Sequence, residues 1–532
     1  MEEKNDYLFK IAAYPHEFEQ IHALNYQTFS EEIPQHQKNE REILIDPFHN
    51  ENTYIICLKN EELVGMIAIR DQRPFSLDRK IGPVEQALPI KVNRLCEIRL
   101  LAVKKEYRNG RVFVGLAQYL AKYGLKKGYD ACVISGTVRQ AKLYKQMGFL
   151  PFAPLTGTDE AQFQPLYLTK QTFEASLAGR ILRPTIPFLP GPVRITDAVI
   201  EGLSNRPISH RSEVFFDKIE KAKKILKDLV RTKHVQILLG SGTLANDVIA
   251  GQLSLEKGKG IILVNGEFGS RLVEQANRFG LNFDIVEKDW GQVYTKEDIL
   301  SHLSKETTWM WGVHSETSTG MLNNLNMLKD ISKEHNLKLC LDCISSIGAV
   351  ELDLEGVYLA SGVSGKALKA ITGLSFVFHH HDVKPSMRLP KYIDLGYYLE
   401  KDSIPFSHSS NLLEALLLSL EELSIQTFDK VKETYHFIRN ELFEKGFKMT
   451  TPEQIASPII ITIEIPKEIS STAIGESVLF QGFQLHYESS YLKERNWIQI
   501  ACVGDYSVTE ITSMIQLFSD VYLYEIRNSN LL

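Results

Sequence analysis

Three groups of residues in this chain have types and spacing that suit chemistry on a bound phosphate ester. A glycine-rich turn, Gly240-Ser241-Gly242-Thr243, follows the apolar run Ile237-Leu238-Leu239 and leads into a helix-like stretch. Such a turn points free N–H groups and a hydroxyl at a phosphate, and the helix dipole adds to the attraction. Asp342 closes a second apolar run, where a carboxylate reaches the crevice at the carboxyl edge of a parallel sheet. Lys366 lies 24 residues further on, after the short run Val357-Tyr358-Leu359-Ala360. A phosphate cradle, then a buried carboxylate, then a lysine is the order that pyridoxal phosphate requires. The carboxylate keeps the pyridine nitrogen protonated, and the amine acts as Schiff-base former and proton carrier. Phe268, after the buried run Ile261 to Val264, offers an aromatic face for the ring.

These residues need a large α/β scaffold, and the chain has the length for one. At 532 residues two or three domains are expected. Hydrophobic residues at 44% and charged residues at 24% fit a globular protein. A net charge of −6 gives no reason to expect a nucleic-acid partner. No apolar window reaches membrane-spanning length, and the acidic start Met1-Glu2-Glu3 lacks a signal-peptide core, so a cytoplasmic enzyme is expected. Six cysteines do not make a disulfide scaffold. Cys340 and Cys343 have CxxC spacing but sit in an apolar stretch without a second pair, so they are read as buried structural thiols rather than metal ligands. The run His379-His380-His381 is read as a solvated strand end. No metal site is expected.

Pro184, Pro187, Pro190 and Pro192 interrupt the chain within nine residues and mark a linker. The expected boundaries are a first domain over 1–172, a linker over 173–190, a large domain over 191–400, and a long helix from about Asn411 with a small domain over 401–532. Strand and helix patterns alternate through the large domain, as a mainly parallel sheet with helices on both faces requires.

The motifs Leu189-Pro190-Gly191-Pro192-Val193, His210-Arg211-Ser212, Gly240-Ser241-Gly242-Thr243, Val313-His314-Ser315-Glu316-Thr317-Ser318-Thr319-Gly320, Asp342-Cys343-Ile344-Ser345-Ser346 and Lys366-Ala367-Leu368-Lys369 together resemble a class V, fold-type I aminotransferase. The alanine–glyoxylate and 2-aminoethylphosphonate–pyruvate transaminases are the nearest group. The resemblance implies that Ser241, Gly242 and Thr243 hold the cofactor phosphate and that Phe268 stacks on the ring. It implies further that Thr317 or Ser318 meets the phenolic side, Asp342 the pyridine nitrogen, and Lys366 the aldehyde carbon. Ser407 aligns with a phosphate contact given by a second subunit, which implies a homodimer. Two positions depart from the family: Gly365 stands where a glutamine is usual. Gln499 stands where family members place a carboxylate-binding arginine, and it can hydrogen-bond a substrate but not neutralise it.

The first domain has a different logic. The strand-like Glu97 to Val103 leads into Lys104-Lys105-Glu106-Tyr107-Arg108-Asn109-Gly110-Arg111 and a helix. A basic, glycine-containing turn before a helix suits a pyrophosphate, with Arg108, Gly110 and Arg111 as its binders. Tyr144, in Leu143-Tyr144-Lys145-Gln146-Met147-Gly148-Phe149, suits a general acid for a leaving thiolate. The pieces resemble the GNAT acyltransferase superfamily, with a mixed sheet and flanking helices. The opening Ala23 to Phe29 with Glu97 is similar to its N-acyl amino acid and autoinducer synthase branches. That resemblance implies an acyl-CoA or acyl carrier protein donor. The whole chain then reads as a transaminase for a small amine or amino acid and a 2-oxo acid, fused to an N-acyltransferase for the same or a related amine. The alternatives are transamination alone with a non-catalytic first domain, and, ranked lower, a class V lyase using a reactive cysteine.

Overall fold

The computed structural model describes residues 7–33, 35–108, 110–158, 161–176, 178–179 and 184–529. Part of the expected linker, 181–183 included, lies outside the described residues. Contacts divide the chain into two units: 1–185 with 476–483 and 516–532, and 186–475 with 484–515. Residues 476–483 and 516–532 of the first unit fall within 401–532, the stretch read from the sequence as a long helix and small domain.

The first unit is built on an eight-stranded sheet in the order β1-β2-β3-β4-β5-β8-β6, with β7 paired to β8. The strands are β1 (Tyr7–Ile11), β2 (Thr53–Lys59), β3 (Glu62–Arg70), β4 (Leu95–Val103), β5 (Ala131–Thr137), β6 (Leu150–Pro151), β7 (Thr156–Thr158) and β8 (Ala161–Thr169). Among the described residues only β4 and β5 run parallel, and they pair over three residues, Leu95 to Glu97 against Ala131 to Val133. Beyond that point the strands part. Leu100 has φ +53, and the β3–β4 register shifts beside it, so β4 bulges where it leaves β5. Helix α1 (Pro15–Tyr26) and helix α2 (Arg111–Lys127) cover the sheet, and α3 (Ala141–Gln146) follows β5.

Late segments of the chain complete this unit's core. Phe480 packs on Tyr119 at 4.8 Å and Tyr123 at 5.7 Å between ring centroids. Lys10 is 3% exposed and pairs with Glu17 at 3.0 Å and Glu525 at 3.1 Å. Tyr524 donates to Glu17 at 2.5 Å. A buried lysine is tolerable only with such partners.

The second unit holds a seven-stranded sheet, β9-β15-β14-β13-β12-β10-β11. Its strands are β9 (His234–Leu239), β10 (Lys259–Val264), β11 (Phe283–Glu287), β12 (Thr307–Val313), β13 (Lys338–Asp342), β14 (Leu359–Val363) and β15 (Leu374–His379). β11, β10, β12, β13 and β14 pair in parallel, and β15 is antiparallel to both neighbours. Both faces are buried. Ile261 and Leu263 join one core with Phe215, Ile219 and Leu226, whereas Ile262 and Val264 join another with Trp309 and Trp311. The alternation within one strand is the period of two that a doubly covered sheet imposes. Helix α4 (Glu213–Val230) buries Phe215, Ile219, Ala222, Leu226 and Val230, the three-to-four spacing of one helical face. Helices α5 (Gly242–Leu253), α6 (Glu267–Arg278) and α7 (Leu325–Glu334) connect successive strands.

Two local expectations are corrected. The long helix from about Asn411 is two helices, α8 (Ser410–Glu422) and α9 (Ile425–Glu444), because Leu423 is extended and the Ser424 N–H bonds the Thr427 hydroxyl at 3.1 Å to cap a new start. His379 is not solvated: it is 1% exposed, its ring stacked on His234 at 4.9 Å. Burial pushes its pKa down to about 3, so it stays neutral. The small two-stranded sheet of β16 (Ile460–Glu464) and β17 (Trp497–Ala501) pairs Thr462 with Gln499, and helix α10 (Val508–Ser529) ends the described chain.

Candidate active site

The carboxyl ends of β9, β10, β12, β13 and β14 gather the residues that the sequence singled out. Asp342 is the last residue of β13 and is 6% exposed. Its carboxylate accepts from Asn246 Nδ2 at 2.8 Å and from the Ile344 N–H at 2.9 Å. Burial raises its pKa, against the pull of those bonds and of the charges on Lys366 and Arg271. Lys366 stands beyond the end of β14, and burial lowers its pKa while Asp342 opposes the shift. A lysine so placed gives up its proton more easily than one in water, which is the state a nucleophilic amine needs.

Glycines leave the room. A Cβ at Gly191 would stand 3.0 Å from Lys366 Nζ, so the Pro190-Gly191-Pro192 segment lies against the lysine head group. At Gly242 a Cβ would meet the Ile344 side chain at 2.6 Å, which sets the turn before α5 directly on the loop after Asp342. Ser241 is the N-cap residue of α5 and makes no capping bond with its side chain. Asn246, on the first turns of α5, has a buried Oδ1 with no partner among the described residues. A helix start with an uncapped serine, beside a buried carboxylate and a lysine, is a donor and acceptor set that fits pyridoxal phosphate.

Phe268 lies in the first turn of α6, packed on the core, with the Arg271 guanidinium 4.9 Å from its ring centre. Ser318 is committed elsewhere: its hydroxyl accepts from the Glu267 N–H at 3.0 Å and donates to Glu316 at 2.5 Å. Of the Thr317-or-Ser318 pair, Thr317 is therefore the one without a hydroxyl bond among the described residues. Ser407 is exposed.

Two residues take parts that sequence reasoning did not give them. Glu316 is 0% exposed and accepts from the N–H groups of Phe268 at 3.4 Å, Gly269 at 3.0 Å and Ser318 at 3.2 Å. It caps α6 from outside the helix, and burial outweighs those bonds to push its pKa up to about 7. Gln499, expected to meet a substrate, is 0% exposed and fully engaged. Its two Nε2 hydrogens are shared among the carbonyls of Thr317 (2.7 Å) and Ser318 (3.1 Å) and Thr462 Oγ1 (2.8 Å). Two carbonyls can only accept, so Oε1 must face His486 Nδ1, 2.9 Å away. His486 therefore carries its proton on Nδ1 and accepts from Ser489 Oγ at 2.7 Å through Nε2. Gln499 holds the Thr317–Ser318 loop to β17 and has no group left for a substrate. A glutamine inside an alternating apolar strand, Trp497-Ile498-Gln499-Ile500-Ala501, was the available signal that it points inward.

The cysteines supply no nucleophile for a lyase. Cys340, Cys343 and Cys502 are each 0% exposed, and burial pushes all three thiols up.

In the first unit the sequence-chosen residues scatter. Arg108 donates Nε–H to the Val103 carbonyl at 2.8 Å and pairs with Glu32 at 2.8 Å, so its guanidinium is occupied. Gly110 is left-handed at φ +89 and caps α2, and Arg111 opens that helix. Asn109 lies outside the described residues. Tyr144 packs over Gly136 of β5, where a Cβ would stand 2.8 Å from its ring, and against Phe149.

A tighter cluster forms at the β4 bulge instead. Glu97, 0% exposed, accepts from the N–H groups of Ser76 (2.8 Å) and Leu77 (3.0 Å) and from the Ser76 hydroxyl. Arg99, two residues on, makes a two-pronged pair with Asp46, each bond 2.9 Å. Arg70 is 1% exposed, pairs with Glu51, and has Nε and Nη1 without partners among the described residues. The Phe48 ring lies 3.6 Å from the Arg70 guanidinium and 4.8 Å from that of Arg99. A carboxylate beside a strand bulge is a group that can take a proton from an amine. Sequence reasoning reached Glu97 through the resemblance and missed Asp46, Arg70 and Arg99, whose partners lie far along the chain.

Known proteins share both halves. The model of the class-V aminotransferases matches residues 198–404, and that of the N-acyl amino acid synthase FeeM matches residues 20–170. The 42 kDa subunit of a soluble hydrogenase from Anabaena cylindrica is 31% identical over 303 residues, covering 52% of this chain and 78% of that protein. A 2-aminoethylphosphonate–pyruvate transaminase from Phocaeicola vulgatus is 23% identical, over 64% of this chain and 99% of its own length. Among solved structures, an aspartate aminotransferase of Thermus thermophilus superposes with a TM-score of 0.59 at 26% identity, covering 64% of this chain and 99% of that one. An alanine–glyoxylate aminotransferase from Nostoc sp., at 22% identity and a TM-score of 0.58 over 64% and 95% of the two chains, shares the fold.

Proposed function

Because the chain belongs to the class-V aminotransferases, with an N-acyl amino acid synthase domain ahead of that unit, we propose that it makes or consumes a small amine by transamination and acylates the same or a related amine. The carrying observation is the buried Asp342 and the desolvated Lys366 converging at one sheet edge beside the uncapped start of α5. Ser241, Gly242 and Thr243 would hold the phosphate of pyridoxal phosphate, Phe268 would face its ring, and Asp342 would meet the pyridine nitrogen. The cofactor, when bound, supplies an electron sink. Lys366 Nζ would be the amine that holds the cofactor and would serve as the proton carrier of the exchange. Asn246 keeps Asp342 oriented, and Gly191 leaves the lysine free to swing.

The substrate follows from charge. The family's carboxylate-binding arginine is replaced by Gln499, which is consumed in holding the Thr317–Ser318 loop. We read the amino donor as one that needs no fixed cation at that position, and the acceptor as a 2-oxo acid. The transaminases among the relatives support an amine of this small class. In the acylating half, Glu97 would take the proton of the incoming amine. The gap between β4 and β5 would admit an acyl thioester from acyl-CoA or acyl carrier protein. A GNAT-type fold is supported by the bulge at Leu100 and the parting of β4 from β5.

A homodimer is supported by exposed apolar side chains on the second unit: Ile200 (46%), Leu203 (37%), Val214 (56%) and Phe216 (41%), with Ser407 exposed as a contact for a second subunit would be. No helix among the described residues is long and apolar enough to cross a membrane. An amino-donor screen followed by the cofactor's absorbance change, on wild type and Lys366→Ala, tests the transaminase. No spectral change with any donor would remove it.

A further inference from the structure

The position where Gln499 replaces an arginine carries a chain of hydrogen bonds with a fixed direction. Gln499 Oε1 accepts from His486 Nδ1 at 2.9 Å, and His486 Nε2 accepts from Ser489 Oγ at 2.7 Å. The direction is set at the glutamine end. The amide hydrogens face the Thr317 and Ser318 carbonyls, so Oε1 turns to His486, the imidazole proton sits on Nδ1, and Nε2 is left as an acceptor. Ser489 therefore commits its one hydrogen to His486. Burial lowers the His486 pKa; the Gln499 bond opposes that shift and the charge on Lys366 adds to it. The ring stays neutral near pH 7, and the order of donors holds.

The chain runs from a closed end to an open one. Gln499 is 0% exposed, whereas His486 and Ser489 are partly exposed. Ser489 precedes the short helix Ser490–Arg495 but does not cap it with its side chain. A hydroxyl oxygen accepts twice, so Ser489 Oγ keeps acceptor capacity after its hydrogen is committed. The neighbouring Tyr491 hydroxyl donates to Gln499 Oε1 at 3.4 Å. The open end belongs to the Lys366 site. Lys366 is among the charges acting on His486, and Gln499 is bonded to the loop carrying Thr317, which would meet the cofactor's phenolic side.

We infer that Ser489 is a specificity-determining residue of the transaminase site: its oxygen accepts a hydrogen bond from the amino donor, which carries a hydroxyl or an ammonium group on the carbon next to the one whose amine is exchanged. An arginine offers hydrogens to an acceptor. The Ser489–His486–Gln499 chain offers a lone pair to a donor, and so reverses what this position reads. His486 and Gln499 are positioning residues, because they act through the hydroxyl. This substrate class presupposes that the second unit is a transaminase.

Four amines on one carbon frame test it with the full-length holoenzyme: 2-aminopropan-1-ol, 1,2-diaminopropane, 1-methoxy-2-aminopropane and isopropylamine. Each is followed by the cofactor's absorbance change. The alcohol and the diamine are expected to show kcat/KM about fivefold above the methyl ether and isopropylamine, the worth of one hydrogen bond. Ser489→Ala is expected to bring the alcohol-to-isopropylamine ratio down about fivefold. His486→Phe releases the Ser489 hydrogen and is expected to raise the ether-to-isopropylamine ratio about fivefold, a gain that loss of packing would not give. Should either variant fail to fold, the wild-type order decides. An ether as good as the alcohol in wild type, or an alcohol preference that survives in Ser489→Ala, would overturn the role of Ser489 while transamination stands. No absorbance change with any of the four would overturn the transaminase reading and this substrate class together.

Discussion

Lys366 and Asp342 work as a pair because burial acts on them in opposite senses, lowering the lysine pKa and raising that of the carboxylate. Replacing Lys366 with alanine is expected to lower transaminase turnover about a thousandfold while leaving the unfolding midpoint within error. Steady-state kinetics and a thermal melt check this together. Gln499 acts through others. Gln499→Leu strips donors from two carbonyls and Thr462, a change worth about 2–4 kcal/mol locally, and is expected to weaken cofactor binding rather than substrate KM. A cofactor titration separates the two. Glu316 gives a pH signature. Its pKa is raised from the ordinary value to about 7, so the folded state binds the extra proton, and stability falls as pH rises through that window. Glu316→Gln is expected to remove a pH-dependent difference of roughly 3 kcal/mol between pH 4.5 and 7. Denaturant midpoints across that range measure it, and a slope identical to wild type would contradict the assignment. Lys366, Asp342 and the Ser241–Thr243 turn were legible because strand ends and glycine turns are local patterns. Gln499 was misread because its partners, Thr317 and Thr462, are distant in sequence, so its place in an apolar strand showed that it points inward but not what it holds.

At the scale of elements, the alternation of buried strands and amphipathic helices made the large sheet readable, since periods of 2 and 3.6 are written into the residues themselves. Local breaks were less visible. Nothing in Leu420-Glu421-Glu422-Leu423-Ser424-Ile425 stops a helix by propensity alone. The break between α8 and α9 rests on the extended Leu423 and the Ser424–Thr427 cap. The bulge at Leu100 is equally silent, because its cause is the register across to β3. That bulge bears on the acylating half. Glu97→Gln keeps the Ser76 and Leu77 bonds in part but removes the base, and is expected to lower acyl transfer about a hundredfold while transamination continues. Acyl release measured beside amine exchange on one preparation distinguishes it from general damage, which would lower both.

The whole molecule is interleaved in a way that no boundary drawn along the sequence captures. The first unit runs to residue 185, inside the proline-rich stretch, and also takes in 476–483 and 516–532. Lys10 depends on Glu525, and Tyr119 on Phe480, so the chain ending at residue 185 would leave a buried lysine short of a partner and an aromatic face bare. That fragment is expected to lack a cooperative unfolding transition, and a sharp calorimetric peak from it would contradict this. Both activities are therefore best measured on the intact chain. The most direct measurement supplies the purified full-length protein with a ¹⁵N-labelled amino donor, the oxo form of the amine, and an acyl donor, and follows the acylated product by mass spectrometry. The expected result is a ¹⁵N-labelled N-acyl product from wild type. Lys366→Ala should make none from the oxo compound yet still acylate the preformed amine. Labelled product that forms equally well without Lys366, or no acylated product from any amine the transaminase half accepts, would contradict the account.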